Sequence, residues 1–113
     1  MDQVLTVVQN TFAQTTDREA LRAYYEHIWK EREAVPGYLG GMVWSDVEEP
    51  LSLLAIHRYR DVAAADLGAQ VTAKASLMAE RDRLPSEPTN VIRVRTTHDY
   101  GTLRESLDKA PYL

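Results

Sequence analysis

Three polar side chains stand inside runs of sequence that otherwise favour buried strands: Asn10 in VLTVVQNTF (residues 4–12), and His57 and Tyr59 in LSLLAIHRYR (residues 51–60). An amide, an imidazole and a phenol can donate and accept hydrogen bonds, and an imidazole with a pKa near neutrality can move a proton. A second cluster is AYYEHIWK (residues 23–30), which holds Tyr24, Tyr25, His27 and Trp29 within eight positions. Rings at that density are either the packed face of a helix or the walls around a flat aromatic ligand.

Both readings have a physical basis. On a helix, Leu21, Tyr24, Tyr25 and Ile28 share one stripe, with His27 and Trp29 on its flanks. The stripe serves as core if the tyrosine hydroxyls reach its edge. A buried hydroxyl without a partner costs about 1–3 kcal/mol, so hydroxyls held inside imply a cavity where water or ligand meets them. Asn10 has the parity of Val8 and Phe12, and His57 and Tyr59 that of Leu53 and Ala55. Each is either a satisfied core group or a pocket group. Trp44 reads as core or dimer packing.

These residues must be positioned by the elements around them. Residues 4–12 are short and rich in β-branched side chains, as a strand requires. A helix is expected from about Asp17 to about Ala34, opened by a Thr16–Glu19 capping box and stopped by Pro36-Gly37. Residues 38–46 and 51–60 read as two strands around the turn VEEP. Residues 61–84 read as an alanine-rich helix with Leu67, Val71 and Met78 on one face, divisible at Gly68. Pro85 and Pro88 end it, and residues 89–100 form a fourth strand.

The order βαββαβ predicts an α+β ferredoxin-like sandwich: one antiparallel sheet with both helices on one face. Residues 1–100 form one domain, and 101–113 a tail with helical character around TLRESLDK. Both parities of strands one and three are largely apolar, whereas a sheet with one wet face alternates. A second copy packed sheet to sheet is the simplest cover, so a homodimer is expected, with APYL (residues 110–113) able to pack across it.

Composition narrows the chemistry. The chain has 113 residues, a net charge of −4 and no basic cluster, which argues against nucleic acid. It has no cysteine, so disulfides and thiolate-bound metals are excluded. No leader-like segment and no apolar run of about 20 residues occurs, so a cytoplasmic protein that does not enter membranes is expected. His27, His57 and His98 lack metal-ligand spacing, and His27 with Glu31 reads as an exposed i,i+4 pair. Gly37, Gly40 and Gly41 lack the strand–glycine–helix order of a phosphate loop.

Asn10 near the end of strand one, EREAVPGYLGGMVWSD (residues 31–46) and EEPLSLLAIHRYRDVAA (residues 48–64) resemble the antibiotic biosynthesis monooxygenase domains of the dimeric α+β barrel superfamily. The resemblance spans residues 4 to about 98. It implies a pocket between sheet and helices, and for some members oxidation of anthrone-like polyketides by O2 without metal or flavin. Asn10 matches the strand-one asparagine, and Tyr59 falls where the family commonly has tryptophan. Haem-degrading relatives use a second-helix histidine, absent from residues 61–80 here, so haem is disfavoured. On this resemblance Asn10 would donate to a developing oxyanion and Tyr59 would hydrogen-bond it; His57 matches no family motif and is the candidate base by its own chemistry, given a pKa near neutrality. Tyr24, Tyr25 and Trp29 would bind the aromatic substrate. The implied function is a cofactor-independent monooxygenase acting on a small aromatic or polyketide-like molecule. The alternatives are a small hydrophobic ligand-binding or structural dimer, or a cyclase or isomerase on the same scaffold.

Overall fold

The computed structural model describes residues 3–87 and 89–95. The elements run β1 (Val4–Thr11), α1 (Arg18–Glu33), β2 (Tyr38–Ser45), β3 (Ser52–Tyr59), α2 (Val62–Ala69), a 3-10 turn (Val71–Ala73), α3 (Ala75–Asp82) and β4 (Asn90–Val94). The four strands form one antiparallel sheet in the order β2-β3-β1-β4. That is the ferredoxin-like arrangement expected from the βαββαβ order. The expected strand residues beyond 95, His98 and the tail 101–113 lie outside the described residues.

Strand parity decides what faces the helices. β3 alternates strictly, with Leu53, Ala55, His57 and Tyr59 buried and the residues between them half-buried. Across the ladder, Thr6 pairs with His57, Val8 with Ala55 and Asn10 with Leu53, so all six share the helix-covered face. The opposite face carries Val7, Ile56 and Leu54, flanked by Trp44 on β2 and Ile92 on β4. Trp44 and Ile92 are exposed, so that face is apolar at its rim as well as its centre.

α1 buries Leu21, Tyr24, Tyr25 and Ile28, the stripe read from the sequence, and continues it with Arg32. Its start differs from expectation. Asp17 is the cap, its carboxylate accepting from the Glu19 and Ala20 N–H groups at 2.9 and 3.4 Å, while the Thr16 hydroxyl is buried without a partner. An aspartate side chain offers an acceptor oxygen suited to the N–H groups at the start of a helix, as capping preferences show.

The segment read as one long helix is two helices around the 3-10 turn. The break falls at Gln70, not at Gly68. It resets the helical phase: Val71 and Leu77 are buried, whereas Leu67 is exposed and Met78, also partly exposed, borders a cavity between sheet and helices. Gly68 serves a different purpose. A Cβ there would lie 2.1 Å from the Tyr59 hydroxyl, so only glycine lets α2 settle onto the Tyr59 ring.

On the outside, His27 Nδ1 lies 3.1 Å from Glu80 and its Nε2 3.7 Å from Glu31, which also holds Lys74. This partly exposed network joins α1 to α3. Among the described residues no cluster of His, Cys, Asp and Glu is arranged to hold a metal, and no helix is long and apolar enough to cross a membrane.

Candidate functional site

A cavity of about 400 Å³ lies between the helix-covered face of the sheet and the helices. That volume is within the usual range for small-molecule pockets. Val8, Ala55, Tyr24 and Ile28 form apolar wall, and polar groups gather in two places.

The first polar group is centred on Asn10, which is buried. Its Oδ1 accepts from Thr89 Oγ1 at 2.7 Å and from Arg81 Nη2 at 3.3 Å. Because a guanidinium only donates, those contacts fix the oxygen side of the amide. The Nδ2 side therefore turns to Tyr25, whose hydroxyl accepts at 3.5 Å. Arg81 is itself held by the Leu84 carbonyl at 2.7 Å and by the Ser86 hydroxyl, and stacks over Phe12 at 5.1 Å. Burial pushes the Tyr25 pKa up to about 12 against the pull of the Asn10 hydrogen bond, so it stays a neutral phenol. This end thus offers N–H and O–H donors in an apolar setting.

The second polar group comprises Thr6, His57 and Arg32, all buried and all in the cavity wall. His57 Nδ1 and the Tyr38 hydroxyl share a hydrogen bond of 3.1 Å. Gly41 permits this: a Cβ there would lie 2.5 Å from the Ile56 carbonyl and 2.8 Å from both His57 Nδ1 and the Tyr38 hydroxyl. Burial, and then the positive charge of Arg32, hold the His57 pKa well below its ordinary 6.5. The imidazole is neutral at physiological pH, and a proton placed on it would face Arg32. It is fitted to hydrogen bonding and poorly fitted to the role of base expected from the sequence. Among the described residues, the Thr6 hydroxyl and Arg32 Nε are buried without partners.

The structure therefore brings Asn10, His57, Tyr24 and Tyr25 to one cavity, while Tyr59 and Trp29 are not among its walls. Tyr59 has the correct strand parity but sits under α2 in a separate cluster with Val4, Ala64 and Ala65. Trp29 is half-buried on the flank of α1. Burial raises the Tyr59 and Tyr24 hydroxyl pKa values as well.

The sequence reading omitted Arg32, Thr6, Arg81 and Thr89. Arg32 carried a signal, since it follows Ile28 by four and Tyr25 by seven and so prolongs the buried stripe. A cation on an apolar stripe asks for an explanation. Thr6 had the parity of Asn10. Arg81 and Thr89 reach Asn10 only through tertiary folding and carried no local sign.

The fold is a ferredoxin-like α+β architecture with a cavity between sheet and helices, and solved structures share that fold. The chain is similar to SnoaB, a cofactor-independent oxygenase from Streptomyces nogalater, at 12% identity and a TM-score of 0.71, covering 90% of this chain and 100% of that one. It is similar to Rv0793 from Mycobacterium tuberculosis at 18% identity and a TM-score of 0.66, covering 88% and 99%. A provisionally named antibiotic biosynthesis monooxygenase from Nitrosomonas europaea matches at 17% identity and a TM-score of 0.65, covering 88% and 93%. No protein-family model matches the chain, and no curated protein matches it by sequence. At these identities the likeness establishes the fold.

Proposed function

We propose that the cavity is the active site of a cofactor-independent monooxygenase-like enzyme that oxidises a small aromatic or polyketide-like molecule with O2. The observation that carries this reading is the Asn10–Tyr25 donor pair, fixed by Arg81 and Thr89 inside a largely apolar cavity. An electron-rich phenol or anthrone loses a proton to solvent water, and its anion passes an electron to O2. Overall, a ring CH2 and O2 become a carbonyl and water. Preorganised donors stabilise the anion far better in such a cavity than in water. The Asn10 amide and the neutral Tyr25 phenol are those donors, Tyr24 and Ile28 hold the ring, and His57 acts as a neutral hydrogen-bonding group. Tyr59 and Trp29 have no part in this version of the site.

The test is oxygen uptake by purified, metal-free protein across a panel of anthrones and dihydroxynaphthalenes. Uptake with quinone formation, reduced about 10²–10³-fold in Asn10→Ala, is the expected result. Absence of uptake across the panel would favour a second reading, ligand binding without turnover. One observation already leans that way: the cavity's imidazole is not suited to keep a proton.

We propose further that the protein is a cytoplasmic homodimer. The sheet face bearing Val7, Ile56 and Leu54, with Trp44 and Ile92 at its rim, suits a second copy. Sedimentation should give the mass of two chains, and Ile92→Glu should give one.

A further inference from the structure

Charged groups in the cavity wall are Arg32, Arg81 and Asp82, and they are not equivalent. Arg81 is engaged by a carbonyl, two hydroxyls and the Asn10 amide. Arg32, only 6% exposed, has no carboxylate in ion-pair range and no hydrogen bond to its guanidinium among the described residues. Leaving a cation buried and unpaired is costly, and folded proteins rarely do so without a reason. Three observations point to a ligand as that reason. The side chain lies in a cavity wall, the Thr6 hydroxyl in the same wall is also buried without a partner, and the neutral His57 beside them adds no competing charge.

Chain geometry adds a dimension. Thr6 and Asn10 are four residues apart on one strand, about 13 Å. Tyr25 and Arg32 are seven residues apart on α1, about 10 Å. Asn10 bonds Tyr25, and Thr6 stands opposite His57, which feels the charge of Arg32. The two polar groups are therefore opposite ends of one cavity, with Tyr24, Ile28, Val8 and Ala55 between.

We propose that Arg32 is an anion anchor that selects aromatic carboxylates: the ligand's carboxylate meets Arg32 and Thr6, and its far oxygen meets Asn10 and Tyr25. A planar guanidinium fork matches the two oxygens of a carboxylate, where a single phenolate oxygen would use one arm. The net charge of the wall, two guanidiniums against one carboxylate, agrees with a ligand of charge −1. This proposal rests on the cavity being the site of function and deepens that reading by naming a substrate class.

The test compares two fluorescent probes of equal shape, anthracene-2-carboxylate and anthracene-2-carboxamide, by titration at neutral pH. The wild-type chain should bind the acid about tenfold to a hundredfold more tightly, the worth of a charged hydrogen-bonded contact. Arg32→Met should abolish that preference while keeping the amide affinity, and Arg32→Lys should keep part of it. If Arg32→Met does not fold, by circular dichroism, Thr6→Val and Arg32→Lys carry the test, each expected to reduce the preference several-fold. Equal binding of the two probes by wild type, binding of neither, or a preference untouched by these variants overturns the anchor. Acid preference without oxygen uptake would sink the oxygenase reading alone. Uptake on neutral anthrones without acid preference would sink the anchor alone.

Discussion

The two ends of the cavity share the same sheet and the same helix, yet they are finished differently. Around Asn10, amide, guanidinium and hydroxyl groups satisfy one another, and the network stands without any ligand. Around Arg32, among the described residues, its Nε and the Thr6 hydroxyl lack partners, whereas His57 is matched by Tyr38. The first end is preorganised, with donors aimed before anything arrives. The second is left incomplete at the expense of stability, as functional sites often are. The contrast separates two tasks: one end is built for chemistry on an oxygen, the other for choosing what enters.

The largest effect should come from splitting the two duties of Asn10. Asn10→Asp keeps an oxygen for Arg81 and Thr89 but removes the N–H donors. Oxygen uptake on an active substrate should fall about 10²-fold or more, while the melting temperature holds. A variant that keeps its rate would reduce Asn10 to a structural tie, and the two ends would no longer differ in purpose.

The two arginines offer a comparison of opposite sign. Arg32→Met replaces an unpaired buried cation with an apolar side chain of similar reach. Urea unfolding should show a gain of about 1–4 kcal/mol, in line with replacement of buried charge by apolar groups. Arg81→Met strips a donor from Asn10 and leaves the Leu84 carbonyl unmatched, so it should lose about 1–3 kcal/mol. If both variants lose stability, Arg32 has a structural partner after all and the incomplete end is not incomplete.

Much of this arrangement was legible in the sequence, for definite reasons. Strand alternation grouped Asn10 with Val8 and His57 with Ala55 without saying which face the helices cover, and the 3.6-residue period gave the stripe of Tyr24, Tyr25 and Ile28. Parity could not fix where along the sheet each helix lies. Tyr59 and His57 share a face, but α2 covers Tyr59 through Gly68 while the cavity opens beside His57. The break at Gln70 leaves no sign in the sequence because an alanine-rich segment gives little period to lose. Arg32 is legible in the same period, as a charge four residues after Ile28 on an otherwise apolar stripe.

The smallest effect is in the pH dependence of stability. The fold holds His57 neutral, so its pKa in the folded chain lies well below the 6.5 of an exposed imidazole. Above pH 6.5 both folded and unfolded chains carry it uncharged, and its contribution to stability is fully present. As pH falls below 6.5 the unfolded chain takes up a proton that the folded chain refuses, so stability drops until the folded pKa is reached. Carboxylates also titrate as acid is added, so the informative quantity is a difference. Wild type should lose stability faster than His57→Gln as pH falls from 6.5, and the two should run parallel above it. Arg32→Met should shrink that difference, because the cation that helps keep His57 neutral is gone. Parallel curves for wild type and His57→Gln throughout would mean that the imidazole protonates freely, and that the second end of the cavity is wetter than its burial implies.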